Sequence, residues 1–174
     1  YFSTPALLEE RLRLSGGALT NVYGYIHFGS QTVWTPQGIT LCNTEVGVSS
    51  GTVWSVEGAC TLASALLVID PYARFSVVGD LSLNANGSLR IYSAATNGSE
   101  RIYGNQLDVS GALTLAAGAW IYPYSESKKG ASVCFSLGSL QIMANGGIDA
   151  VGRGFARDYG EGRGTAGNTT GSGA

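Results

Sequence analysis

The side chains that could carry out acid–base or metal chemistry are few and scattered along this chain. The only histidine is His27, which lies between two apolar residues and would face solvent in an alternating strand. General acid–base catalysis needs groups within hydrogen-bond reach of one another, and no serine or cysteine partner is spaced to meet this histidine. Three aspartates (Asp80, Asp108 and Asp149) fall on different parts of the repeat described below. The sequence therefore predicts no catalytic residue, no metal site and no cofactor.

Residues suited to aromatic stacking and to glycosylation are more numerous than those suited to acid–base or metal chemistry. Trp120, Tyr122 and Tyr124 alternate along the chain and would share one face of a strand, an arrangement that suggests a platform for stacking sugar rings. Three Asn-x-Ser/Thr sequons are candidate glycan acceptors in a secreted eukaryotic protein; they begin at Asn86, Asn97 and Asn168. Asn97 is the strongest of the three candidates because a long polar segment surrounds it.

One pattern occurs three times between residues 73 and 151. Gly79, Gly111 and Gly138 are 32 and then 27 residues apart. Each is followed two and four residues later by leucine or isoleucine, and then by a second glycine with an apolar residue two positions beyond. The copies predict short alternating strands separated by glycine turns. A weaker copy begins at Leu12, and a fixed-period repeat is the signature of a repeat architecture.

Alignment of the copies separates predicted core positions from surface positions. Cys60 takes a position that leucine holds in other copies, and Cys134 takes the position of Phe75 and Leu107, so both cysteines are predicted to be buried. Trp120 aligns with Leu89 and Ile148, so we expect a core residue there and not a sugar platform. Three scattered cysteines indicate neither a disulfide framework nor a zinc site, although a Cys42–Cys60 disulfide remains compatible with the sequence.

The surface positions that remain as candidates for contacts lie in the segment after Tyr122 and in the glycine-rich segment at the end of the chain. They are Tyr124, Lys128, Lys129, Arg153 and Arg157.

The repeat predicts an all-β chain folded as a parallel β-solenoid of about five coils. Each coil would be a triangle of short strands that buries its inward face only by stacking on its neighbours. The 63 residues from Gly16 to Gly79 are expected to form two turns. An antiparallel sandwich or jelly roll is the competing fold, but a sandwich has no reason to repeat the same inward triplet about every 30 residues.

Three regions follow from this interpretation. Residues 1–11 are a lead-in or cap, residues 12–151 are the solenoid, and residues 152–174 are a glycine-rich segment that we expect to serve in docking or assembly. Charged residues make up only 13% of the chain and the net charge is −2, which offers no basic face for nucleic acid. The longest apolar run, residues 65–69, is far shorter than the ~20 residues of a membrane span.

The coil pattern of G-x-L-x-L, glycine turn and x-[LI] resembles the right-handed parallel β-helix of large secreted surface proteins. Adhesins, autotransporter passenger domains and polysaccharide lyases have this architecture. The stretch IDAVGRGFARDYGEGRG looks like segments that accompany such coils in giant extracellular proteins of bacteria and protists. The resemblance implies an extracellular or cell-surface scaffold, and it carries over no catalytic residue.

We therefore expect a non-enzymatic extracellular structural or adhesive module that self-associates through its open coil ends, in a fibre or a surface layer. One alternative is a carbohydrate-active β-helix, either a polysaccharide lyase or a glycoside hydrolase. Such an enzyme would need acidic residues together with Arg or Lys on one outward wall. The other alternative is a repeat module that binds glycans or proteins without catalysis.

Overall fold

The structure, a computed structural model, describes residues 6–8, 13–15, 18–28, 33–95, 103–129, 131–156 and 159. Side chains are described from Thr35 onward, except that of Tyr103. The described residues form fifteen strands in one continuous sheet, and every pair of neighbouring strands is parallel. The predicted parallel β-solenoid is confirmed, and the antiparallel sandwich is wrong.

The strands follow one another with short connections. In chain order they are β1 (Ala6–Leu8), β2 (Arg13–Ser15), β3 (Ala18–Phe28), β4 (Val33–Thr35), β5 (Gly38–Val48), β6 (Val53–Val56), β7 (Cys60–Ala63), β8 (Leu66–Ile69), β9 (Arg74–Val77), β10 (Leu81–Asn84), β11 (Ser88–Tyr92), β12 (Tyr103–Leu115), β13 (Trp120–Tyr124), β14 (Ser132–Ile142) and β15 (Gly147–Ile148).

The strands stack into three walls, and the long strands turn a corner and belong to two of them. Wall A contains β2, β4, β6, β9 and the first halves of β12 and β14. Wall B contains the first halves of β3 and β5, then β7, β10 and the second halves of β12 and β14. Wall C contains β1, the second halves of β3 and β5, then β8, β11, β13 and β15.

The basic coil is shorter than the sequence repeat suggested. On wall B, Leu19 pairs with Ile39, Ile39 with Cys60 and Cys60 with Leu81, so three coil steps of 20 or 21 residues separate Leu19 from Leu81. The expectation of two turns over this stretch is wrong, and the described residues make six coils on walls A and B. The spacings of 32 and 27 residues belong to later coils that carry extra segments after Tyr92 and Tyr124.

The inward positions of the three walls form one core. On wall A, Trp54, Phe75 and Leu107 occupy the same register position on successive coils and are buried, and the rings of Trp54 and Phe75 have centroids 4.9 Å apart. Cys60 is fully buried on wall B between Ile39 and Leu81, as predicted. Parallel coils thus bury a continuous column that no single coil could bury alone.

Glycine is required at the corner between walls A and B because successive coils approach closely there. A Cβ atom at Gly79 would lie 2.7 Å from the backbone carbonyl of Gly58, and one at Gly138 would lie 2.4 Å from the carbonyl oxygen of Ser110. No other residue can accept these contacts without a shift of the backbone. This contact explains why the first glycine of each copy recurs.

Two core predictions are wrong by one residue, and the first is explained by a slip of the pairing register. Cys134 pairs with Gln106, and Phe135 takes the inward position beside Leu107. Between walls A and B, β12 has two residues, Ser110 and Gly111, where β14 has one, and this β-bulge displaces the alignment. Cys134 is therefore half-buried on an outward position and not in the core.

Trp120 is the second correction. It pairs with Ser88 and Gly147, whereas Ile121 takes the inward position beside Leu89 and Ile148. The reason is that Gly118, with a φ of 76°, corresponds to the turn residues Asn86 and Asn145, which also have positive φ. The inward residue thus comes three positions after Gly118, and Trp120 lies half-buried on the outer face of wall C.

Candidate functional site

Three of the sequence-predicted site residues lie outside the described part of the chain: Asn97, Asn168 and Arg157. The third sequon residue, Asn86, is exposed in the turn between β10 and β11 and has a φ of 65°. Its side-chain oxygen lies 2.2 Å from where a Cβ would be at Gly118, so the amide rests against the next coil.

The two predicted lysines lie in the loop that follows β13. Lys128 and Lys129 are exposed, and their backbone N–H groups both donate to the carboxylate of Glu126. The Glu126 side chain thus organises the loop backbone, and both ammonium groups extend from it toward solvent.

The aspartates singled out in the sequence lie apart and each has its own local partner. Asp80, at the corner between walls A and B, accepts a hydrogen bond from the N–H of Ala112 at 2.7 Å. Asp108, on wall A, accepts one from the side-chain amide of Gln106 at 2.5 Å. Asp149 follows β15 on wall C and forms an ion pair there. They therefore do not converge on one outward wall, which is the arrangement that the carbohydrate-active alternative needs.

Other candidate groups are also dispersed. The described residues hold no cluster of three His, Cys, Asp or Glu side chains that could bind a metal ion. His27 pairs in register with Gly47 on wall C. Cys42 pairs in register with Ala63 rather than lying beside Cys60. The Cys42–Cys60 disulfide that the sequence left open is thus not formed.

A stacked column of side chains lies on the outer face of wall C. The rings of Tyr92 and Tyr124 occupy the same register position on successive coils, with centroids 4.4 Å apart and an angle of 15° between their planes. The guanidinium carbon of Arg153 lies 4.7 Å from the ring centroids of both Tyr122 and Tyr124. Burial, followed by the neighbouring Tyr124 phenol, raises the pKa of Tyr92. The Arg153 guanidinium therefore stacks on these rings at the position where a further coil would place a side chain of its own.

Residues 149–156, which we call the strap, hold Arg153 in this position. The Arg153 guanidinium forms an ion pair with Asp149 at 3.3 Å. A turn at Gly152, whose φ is 68°, brings the strap back against the loop after β13. There the carbonyl of Arg153 accepts a hydrogen bond from the N–H of Ser125 at 2.8 Å, and the N–H of Ala156 donates to the carbonyl of Ser127 at 2.9 Å.

The contacts within this column decide which faces of the aromatic rings are open. Because the column follows the order of the coils, Tyr92 and Arg153 flank the Tyr124 ring from opposite sides. The six-membered ring of Trp120 lies over Gly147, where a Cβ would come within 2.9 Å of its Cζ3 atom. The Tyr124 ring is therefore covered on both faces, whereas sugar stacking uses an open ring face.

The described C-terminal end of the solenoid exposes residues whose register partners one coil earlier lie in the core. Leu140 is 47% exposed and Ile142 is 45% exposed, whereas Leu113 and Leu115, their register partners one coil earlier, are fully buried. On wall C, Ile148 is likewise exposed, although its partner Ile121 is buried. We define the end face as Leu140, Ile142, Met143, Ile148, Val151 and Phe155, all of them exposed.

The backbone at this end is open as well. Among the described residues, β14 pairs only with β12, and β15 pairs only with β13. Each strand therefore presents one edge of N–H and C=O groups without a strand partner, a ready template for pairing with another chain. Phe135 and Leu137, which belong to β14 itself, are partly buried and pack against the core.

The end face is electrically neutral. None of its six members is charged, and the charged side chains on the adjoining strap, Asp149 and Arg153, neutralise each other. Sequence reasoning assigned Leu140 and Ile148 to the core because their pattern is that of core residues. The signal that identifies them as surface is that residues 152–174 contain no copy of the repeat. The contact of Arg153 with the tyrosines had no sequence signal, because it depends on the turn at Gly152.

No protein-family model, no curated protein and no solved structure matches this chain. The part of the chain that the structure describes has no helix of the length and hydropathy that a membrane span requires.

Proposed function

We propose that this chain is a non-enzymatic structural or adhesive module of an extracellular or cell-surface assembly, and that it associates by burying its end face against another β-coil. The observation that carries the proposal is the exposure of Leu140, Ile142 and Ile148 at register positions that are fully buried one coil earlier. The extracellular setting rests on the resemblance of the coil pattern to secreted surface proteins.

The energetic argument concerns both the side chains and the strand edge. Full burial of a leucine or isoleucine side chain contributes roughly 1.5–3 kcal/mol relative to exposure. Leu140 and Ile142 are about half-exposed, so a large part of that stabilisation is still available to a partner coil. A partner that also pairs with the edges of β14 and β15 satisfies backbone groups in the way that the inner coils satisfy one another.

The test is sedimentation equilibrium of the purified chain over a wide concentration range, compared with the Leu140→Lys/Ile142→Lys variant. We expect the native chain to self-associate and the variant to remain monomeric, because two charges would have to be desolvated in the interface. Both positions are already exposed, so the variant should keep its fold, which circular dichroism will check.

The matched control is Thr40→Lys/Ser82→Lys, which adds the same two charges at outward, half-buried positions on inner coils of wall B. This control should associate as the native chain does. A native chain that is monomeric at every concentration would overturn the assembly proposal.

A further inference from the structure

The shape of the two ends of the solenoid indicates what kind of coil the end face accepts. We infer that the partner is a second copy of this chain, joined through the same end face about a twofold axis, so that assembly closes at a dimer. This inference rests on the proposed function and specifies the partner and the mode of contact.

The first argument is that the two described ends do not match each other. At the C-terminal end, β14 is the last described strand of walls A and B and β15 is the last of wall C, so the three walls end on one coil. Among the described strands at the N-terminal end, β1 lies on wall C one coil before β2 on wall A and the first half of β3 on wall B. The described strands are therefore level at the first end and stepped at the second.

A head-to-tail contact between these ends would therefore be incomplete. If β1 of a second copy stacked on β15, the described strands β2 and β3 of that copy would lie one coil too far from β14 to pair with it. A heterologous contact of this kind also generates filaments and not closed assemblies. Two copies of the level C-terminal end can face each other without such a mismatch.

The second argument is that the level end is complementary to itself in strand register. A twofold axis through the middle of wall B turns residues 139–142 of the two copies antiparallel and exchanges walls A and C. Directly opposed residues of an antiparallel pair share a face of the sheet. Pairing Gln141 with Gln141 of the second copy places Leu140 opposite Ile142 of that copy on the inward side. The apolar residues of both ends then close one common core.

The third argument is electrostatic. In an isologous contact each charge on the surface meets the same patch of the partner, so unpaired charges tend to repel. The six residues of the end face are uncharged, and Asp149 and Arg153 are paired within each copy. A twofold contact therefore meets no like-charge repulsion from the end face or from the Asp149–Arg153 pair.

The experiment combines sedimentation with a disulfide placed on the proposed axis. The full chain carries Gln141→Cys in a background in which Cys42 and Cys134 are replaced by alanine, and it is oxidised mildly at a concentration at which the native chain associates. Gln141 is exposed and faces outward on wall B. We expect a monomer–dimer equilibrium and a disulfide-linked dimer. Adding Leu140→Lys and Ile142→Lys should reduce the yield of linked dimer at least tenfold. The control is Thr61→Cys, which faces outward on wall B three coils from the end and should give no linked dimer.

Each other outcome contradicts the inference in a distinct way. Species that grow beyond a dimer with concentration would show a head-to-tail contact and overturn the twofold contact, while the proposed assembly through the end face would stand. A dimer of the Gln141→Cys chain that forms no disulfide, or that forms it equally well with the two lysines present, would place the contact on another surface. A chain that is monomeric at all concentrations would overturn both proposals.

Discussion

Cys60 shows at the scale of a single residue how strongly the solenoid core changes side-chain chemistry. It lies on wall B between Ile39 and Leu81, and none of its surface is accessible to solvent. Removal from water disfavours the thiolate, and burial raises the pKa of this thiol from its ordinary 9.0 to about 12. Cys60 therefore behaves as a small apolar core residue, whereas Cys42 and Cys134 are half-buried.

This shift predicts that folding stability falls at alkaline pH. The thiol in the unfolded chain ionises near pH 9 and the folded one only near pH 12, so the stabilisation is fully present below pH 9. It is lost as the pH rises between these values, because the unfolded state releases its proton first. The loss is at most about 4 kcal/mol. Urea denaturation from pH 8 to pH 11 should show native stability falling more steeply than that of Cys60→Val.

The difference between these two stability curves isolates the contribution of Cys60, since Tyr92 also has a raised pKa and ionises in both chains. Curves that run parallel from pH 8 to pH 11 would show that the Cys60 thiol is not shifted.

Single residues also show where inference from sequence ends. Cys60 could be assigned to the core because its own strand pairs with both neighbouring coils, from Ile39 to Leu81, without a shift of register. Cys134 and Trp120 were misplaced by one residue, although the alignment of glycines around them looked equally regular. The extra residue in β12 and the left-handed turn at Gly118 have no signature in the pattern of apolar residues. A slip of one position moves a side chain from the core to the surface because the strand period is two.

At the scale of elements, the strap is the part of the molecule that the repeat did not predict. The turn at Gly152 and the ion pair between Asp149 and Arg153 place the guanidinium against Tyr122 and Tyr124. A glycine-rich segment without apolar alternation carries no strand signal, so its contacts could not be derived from the repeat. Arg153 supplies the stacking contact that a further coil would otherwise supply.

Removing the Arg153 side chain should loosen the strap without disturbing the coils. Contacts of this kind between a cation and an aromatic ring contribute about 0.5–2 kcal/mol each, and an exposed ion pair adds less than about 1 kcal/mol. We expect Arg153→Ala to speed hydrogen exchange at the amides of Ser125 and Ala156 about tenfold, because their hydrogen bonds tie the strap to the loop after β13.

The control for this prediction is Arg90→Ala, which removes an exposed arginine from the coil before Tyr122 on the same wall. It should leave both amides as protected as in the native chain. Arg153→Lys should restore only part of the protection, because an ammonium group lacks the planar stacking surface of a guanidinium. Unchanged exchange in Arg153→Ala would mean that the backbone hydrogen bonds alone hold the strap.

At the scale of the whole molecule, the architecture was predictable and the number of coils was not. Recurrence of the same inward triplet implies stacked coils, since only stacking buries such a triplet on every repeat. The last three copies of the repeat indicate a coil that is too long, because two of them follow inserted segments. This length predicts two coils before Leu81, where the structure has three. The position of the open end likewise depends on which copy is the last.

A solenoid is stabilised by contacts between neighbouring coils, so the effect of a substitution should depend on its coil rather than on its residue type. Leu113 and Leu140 test this directly, because they are the same residue at the same register position on successive coils. Leu113 is fully buried and Leu140 is 47% exposed. Leu113→Ala should lower the free energy of unfolding by about 2–5 kcal/mol, and Leu140→Ala should lower it by less than about 1 kcal/mol.

The measurement is urea denaturation followed by circular dichroism at a concentration at which the chain is monomeric, so that association does not contribute. Repeating it at a concentration at which the chain associates separates the two roles of Leu140. If the end face is buried in the assembly, Leu140→Ala becomes more costly there, while the cost of Leu113→Ala stays the same. Equal costs for the two variants in the monomer would show that Leu140 is covered within a single chain, and the end face would then not be available to a partner.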